Sequence, residues 1–377
     1  LSDIMVQSGY IPQKMAQKLQ GKVDKRIRKH EAGIVKQYRD TDFEGLTRSV
    51  TKATKSGTFK TGQTKRIKRQ AVPGAEILGK PVDPKDPYAG RTLDKRYKLS
   101  RKLGAGGMGV VYLAEDAKQG GKEIAIKLVL DASQNPEVIK RFKREILVTG
   151  YIKHENIVDI YGSGAMADGS FYMAMEYVAG RELQDLLKEV GRLPIERVTD
   201  QIEQVLKGLA YCHNNRVVHR DMKPENLMVT ERDGREIVKI MDFGLARFLD
   251  KEEIEEELEE KIFQTMAGQV SGSPGYLAPE SINADHIDGR TDLYAIGIMW
   301  VQMLTGSLPF EAKTAASFIG CHLYKKPKKL LQIMPDQSFP DGLQEVIDAL
   351  LEKIPDKRPA KAEEVLDFIS TKLRPQL

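Results

Sequence analysis

The stretch "VVHRDMKPENLMV", residues 217–229, decides how this chain is read. It sets Arg220, Asp221 and Lys223 between the apolar pair Val217–Val218 and the apolar run Leu227–Met228–Val229. Burying charge costs several kcal/mol unless the charges are paired or employed in chemistry. A strand interrupted in this way is expected to open onto a loop where the charges have a task. Upstream, residues 97–129 alternate short apolar runs with Gly-rich turns, which predicts an antiparallel sheet. Residues 136–153 carry a helical pattern, and 156–178 return to strands. From 181 onward helical patterns dominate, over 181–190, 196–214, 288–305, 341–353 and 361–373. The expected fold class is α+β, a small mainly-β half followed by a larger mainly-α half.

Composition sets the frame around this body. A chain of 377 residues with 41% apolar and 30% charged residues is soluble and globular in type, and no run of 18 apolar residues marks a membrane span. It opens on Leu1 without a basic-then-apolar leader, so no signal peptide is expected. Cys212 and Cys321 are too few for a disulfide framework or a zinc site, and two reduced thiols in a cytoplasmic protein are expected. Charge is uneven: residues 1–90 hold 19 Lys/Arg against 9 Asp/Glu, leaving 40 against 45 in the rest. That predicts a basic arm on a mildly acidic body. Within the arm, Met15, Leu19, Val23 and Ile27 recur at helical spacing, so residues 1–44 read as a short helical extension. Residues 45–96 read as a linker, basic and Ser/Thr-rich over 45–72, then punctuated by Pro and Gly.

Four further signals share the body with the opening stretch. "LGAGGMGVVYLAED", residues 103–116, places Gly104, Gly106 and Gly109 where backbone N–H groups can approach phosphates. The residues after it are strand-like, which predicts a glycine-rich hairpin and not a strand-to-helix dinucleotide turn. Lys127 lies in the apolar run "IAIKLV", with Glu145 on the following helix as a candidate partner or else a solvated face charge. "DFG" occupies 242–244, and "APE" occupies 278–280, with Arg358 of "KRPA" available to Glu280. Taken together and in this order, the motifs resemble the protein kinase superfamily over roughly residues 97–372. The two-lobe kinase fold is implied, with an N-lobe over 97–177 and a C-lobe over 178–372.

The resemblance implies roles residue by residue. Leu103, Gly104, Ala105, Gly106, Gly107, Met108, Gly109 and Val111 cover the phosphates of ATP, with Ala125 against adenine. Lys127 grips phosphate and Glu145 orients it, while Asn226 and Asp242 hold Mg2+. Met175 takes the gatekeeper place, and the backbones of Glu176 and Val178 bind adenine. Asp221 handles the proton of the incoming hydroxyl, Lys223 neutralises the transferring phosphate, and Arg220 meets a phosphate on the activation loop. Lys223, two residues after Asp221, and Ser273, in a place more often held by Thr, resemble Ser/Thr kinases. The glycine loop and "RFKREI" resemble bacterial members most closely.

Two features lie outside the usual pattern. The segment 242–280 is long and contains "DKEEIEEELEEK", residues 250–261, with eight acids. A solvated helix or loop is the plain reading, and docking of the basic arm 45–72 on it is the alternative. Thr265, then Ser271, are the expected activating phosphosites. For the basic runs 26–30 and 65–69 a solvated linker is the plain reading and contact with nucleic acid or an anionic membrane the alternative, with single-strand binding weakened by the lack of interleaved aromatics. Set against an active kinase acting on protein Ser/Thr hydroxyls are a pseudokinase and a small-molecule phosphotransferase. Retention of Lys127, Asp221 and Asp242 opposes the first, and the Ala278–Pro279–Glu280 platform opposes the second.

Overall fold

Alternation of side chains along successive strands builds the N-terminal half. The computed structural model describes residues 86–106, 109–129, 142, 145–146, 148–166, 168, 170–243, 246–248, 274–283 and 285–377. Its first strands are β1 (Thr92–Leu93), β2 (Tyr97–Gly106), β3 (Gly109–Asp116), β4 (Lys122–Val129), β5 (Ile160–Ala165) and β6 (Phe171–Glu176). They form one antiparallel sheet in the order β1-β2-β3-β4-β6-β5. Tyr112 lies opposite Ile126 and Leu128 opposite Tyr172, so these residues bury one face together with Ile124 and Ala174. Ala125 and Lys127, one step out of phase, face the other side beside Met175 and Met173. On that side Val129 and Met173 cluster with Phe142, on the helical residues that also carry Glu145.

Contacts onto the sheet extend upstream of Tyr97. Asp86 accepts hydrogen bonds from the Tyr112 hydroxyl (2.8 Å) and from the backbone N–H groups of Tyr88 and Ala89. The Leu99 N–H donates to Arg91 O at 2.8 Å, and Leu93 is buried in the same face. Arg96 clasps Asp116 through both carboxylate oxygens, at 2.7 and 2.6 Å. Residues that read as linker are therefore strapped across the back of β2 and β3. Asp86→Ala leaves the buried Tyr112 hydroxyl without its acceptor, and a loss of about 1–3 kcal/mol is expected. Urea unfolding of the full chain checks this, and an unchanged midpoint would refute the strap.

The C-terminal half is helical because its apolar residues recur at helical spacing. β7 (Gly180–Glu182) leads into α1 (Leu183–Val190) and α2 (Ile195–Asn214). One stripe of α2, including Val198, Ile202, Val205, Leu209 and Cys212, is buried. The short strands β8 (Val217–Val218), β9 (Leu227–Arg232) and β10 (Arg235–Ile240) follow, then β11 (Arg247–Phe248), which pairs with β8. After α3 (Pro279–Asn283) comes α4 (Gly289–Thr305), buried from Thr291 to Val301. Its ends are fixed locally. The Asp288 side chain accepts from Arg290 N, and Gly306 closes the helix at φ +75°. α5 (Ala315–Tyr324), α6 (Leu330–Ile333), α7 (Leu343–Leu350) and α8 (Ala362–Phe368) complete the half. All described residues except Asp168 belong to the compact unit Gly74–Met166 with Ser170–Leu377. Among the described residues no helix is long and apolar enough to cross a membrane.

Candidate active site

The β2–β3 hairpin brings Gly104 opposite Val111 and Gly106 opposite Gly109. Gly109 has φ +143°, and a Cβ there would lie 1.9 Å from Leu128 O, so no side chain is tolerated. The turn is thus pressed onto β4, the strand that carries Lys127. Lys127 Nζ donates to Glu145 Oε2 at 2.7 Å and lies 4.0 Å from Asp242 Oδ1. Burial opposes the ammonium charge, but Glu145 and Asp242 outweigh it and hold the Lys127 pKa above its ordinary value. Glu145 is buried, unlike a solvated face charge.

The charges of 217–229 lie where β8 ends. Lys223 Nζ donates to Asp221 Oδ2 at 2.7 Å. Burial lowers the Lys223 pKa, yet Asp221, then Glu225 and Asp242, raise it on balance. Asn226 Nδ2 donates to Asp221 O at 2.7 Å, which fixes the Asn226 amide, and Asn226 O receives Met241 N–H at 2.9 Å. Two residues here hold left-handed backbone, Arg220 at φ +68° and Asp242 at φ +58°. Such conformations cost of order 1–3 kcal/mol each and persist only where the surroundings impose them.

The surroundings that impose this come from α4. Asp292 is buried, and its carboxylate accepts from the N–H groups of His219 (2.9 Å) and Arg220 (2.7 Å) and contacts His213 Nε2 (2.8 Å). Desolvation works against this charge, but His213 and the other donors hold the Asp292 carboxyl below the usual range. His219 in turn contacts Met241 O at 3.0 Å, and its ring meets Phe243 edge-on at 4.7 Å. The loop bearing Asp221 and the strand end bearing Asp242 are therefore bolted together. Sequence reading assigns no role to Asp292, His213 or His219. A carboxylate inside the apolar run of α4 was the available signal.

Above this loop, Met175 lies opposite Ala125 and Ile160, and Glu176 N–H donates to Asp159 O at 2.8 Å. Leu103 and Val111 are half-buried. Glu280 and Arg358 form a buried double hydrogen bond at 2.7 and 2.8 Å. Gly107, Met108, Thr265, Ser271, Ser273, the acidic run 250–261 and the arm 45–72 lie outside the described residues.

The donor set suits a nucleotide with a hard cation. Asn226 and Asp242 offer an amide and a carboxylate, and among the described residues no group of three or more His, Cys, Asp or Glu is arranged to hold a metal ion. Mg2+ takes one or two protein oxygens and completes its shell with phosphate and water, which matches that sparse set. Lys127 supplies a fixed cation, and the glycine hairpin supplies backbone at close approach.

Comparison with known proteins points the same way. The family model described as protein kinase domain matches residues 97–368. The chain is similar to the serine/threonine-protein kinase pkn3 of Myxococcus xanthus, 35% identical over 74% of this chain and 50% of that protein. It is 34% identical to the serine/threonine-protein kinase PrkC of Bacillus subtilis over 75% of this chain and 41% of that protein. With the serine/threonine-protein kinase PknA of Mycobacterium tuberculosis the identity is 33%, over 72% and 60% of the two chains. The chain spans about half the length of these relatives.

Proposed function

The chain belongs to the protein kinase family, and from that membership we propose that it transfers the γ-phosphate of Mg-ATP to serine and threonine hydroxyls of proteins. The observation that carries this reading is the convergence of two charge pairs, Lys127–Glu145 and Asp221–Lys223, each at 2.7 Å, beside Asp242. Mg-ATP, when bound, supplies the phosphoryl group and a cation that neutralises it. Lys127 holds phosphate oxygens, and Glu145 keeps the ammonium in place. Asn226 and Asp242 hold the cation. Asp221 orients the incoming hydroxyl and takes its proton on the carboxylate, while Lys223 stabilises charge on the transferring group. Alignment and fixed charge are the main demands of this reaction, and both favour groups held on a rigid loop.

Free, buried Cys212 and Cys321 support a reducing, cytoplasmic setting. Incubation of the full chain with Mg-ATP and casein as a general acceptor tests the activity. Phosphoserine or phosphothreonine is expected from the wild type and none from Lys127→Met. Transfer by Lys127→Met at the wild-type rate would refute the assignment.

The segment 242–280 is proposed to regulate this activity through self-phosphorylation. A phosphate on Thr265 would meet Arg220. Thr265→Ala is expected to start as slowly as phosphatase-treated wild type and to gain nothing from preincubation with Mg-ATP. Equal activation of both proteins would remove Thr265 from the role.

A further inference from the structure

Lys239 lies on β10, three residues before Asp242, and is assigned no task by the reaction. Its Nζ donates to Glu176 Oε2 at 2.8 Å and reaches Ile157 O at 3.5 Å. Glu176 Oε2 also accepts the Asp159 N–H at 3.3 Å, and the Glu176 N–H returns to Asp159 O at 2.8 Å. Both side chains are largely shielded, Lys239 at 13% and Glu176 at 24% exposure. The pair is therefore well beyond the solvent-screened surface type, whose contribution is small.

Three segments meet at this ammonium. The first is 154–159, which follows the helical residues around Glu145. The second is the end of β6, where Glu176 begins the stretch proposed to bind adenine. The third is β10, which delivers Asp242. The backbone ties the first and third independently: Ile240 N–H donates to Asn156 O at 2.8 Å, and Val158 N–H donates to Ile240 O at 3.1 Å. The Asn156 side chain adds Val238 O and Gln204 Oε1, at 2.9 and 3.0 Å. The adenine-side strand end is joined to 154–159 through Glu176 N–H and Asp159 O, and its continuation β7 pairs with β9, so the Lys239–Glu176 pair adds the side-chain link that runs directly from Glu176 to β10. In the same structure Lys127 is joined to Glu145 and lies 4.0 Å from Asp242, so the clasp is closed when the nucleotide-binding groups are assembled.

We propose that Lys239 is a positioning residue for nucleotide binding: through Glu176 it fixes the adenine-binding strand end against the strand that presents Asp242. The proposal rests on the nucleotide-site reading above. Loss of the ammonium leaves the backbone ties in place but removes the direct link, so the spacing of the two ends is less tightly fixed and binding must restore that order. The charge matters more than the stem, so arginine should serve and methionine should not.

Titration of the full chain with Mg-ADP tests this, beside melting temperatures without nucleotide. Lys239→Met is expected to weaken Mg-ADP binding about tenfold, as loss of one charge-assisted hydrogen bond implies. Glu176→Gln should give the same loss from the other side, and Lys239→Arg should bind like wild type. The rate at saturating ATP should change less than the KM for ATP. Wild-type affinity in both Lys239→Met and Glu176→Gln overturns the clasp. Equal weakening by Lys239→Arg and Lys239→Met also overturns it, since packing would then be the cause. If the wild type itself does not bind Mg-ADP, the nucleotide-site reading falls and the clasp with it.

Discussion

Asp221→Asn is expected to lower phosphoryl transfer by about 10²–10⁴-fold, the range for loss of a positioned proton acceptor. The substitution is nearly isosteric, so the hydrogen bonds around it can persist. Asn226 Nδ2 donates to the Asp221 backbone oxygen, which the change does not touch. The loop is held from α4 by Asp292, through the N–H groups of His219 and Arg220. Melting temperature and Mg-ADP affinity should therefore stay near wild type while the initial rate collapses. A variant that turns over normally would show that the acceptor lies elsewhere.

Glu280→Ala is expected to destabilise the protein by ~3–5 kcal/mol, because it strands a buried guanidinium. Arg358 donates to both Glu280 oxygens, and also to Glu352 O (2.7 Å) and Arg290 O (2.9 Å). Its guanidinium lies 4.8 Å from the Tyr294 ring centroid and is fully buried, so the freed charge stays away from solvent. Such a loss is a large part of a typical folding free energy of about 5–15 kcal/mol. Replacing both partners, as Glu280→Leu with Arg358→Met, should recover part of it, since neither charge is then left alone. Urea unfolding of the three proteins decides this. An unchanged midpoint for Glu280→Ala would mean that the pair contributes little.

The pairings that the sequence made legible join residues already suspected of charge chemistry. Lys127 stood out as a cation in an apolar strand, and Glu145 was the acid on the next helix. Glu280 and Arg358, although 78 residues apart, were linked by their motifs. The two-lobe plan followed from the change of periodicity near 178. Less visible were contacts whose partners look ordinary in sequence. Asp292 and His213 lie 79 residues apart and sit within helices that otherwise read as core. Lys239 alternates with Val238 and Ile240 as any half-exposed strand residue does. The strap at 86–96 was hidden for another reason. It has only two strand residues and is held by Asp86 and Arg96, so no apolar period marks it. α5 was likewise missed: its run "AASFIGCHLY" lacks a polar face, and its start is set by the Thr314–Ser317 capping box.

The most direct test is intact-mass and phosphosite analysis of the purified full chain after incubation with Mg-ATP, beside Asp221→Asn. New phosphates on serine or threonine in the wild type only are the predicted result. Their positions, at Thr265 or within 47–64, would also separate loop activation from modification of the basic arm. Absence of phosphate from the wild type and from an added protein acceptor, with Mg-ADP bound, would contradict the assignment of kinase activity.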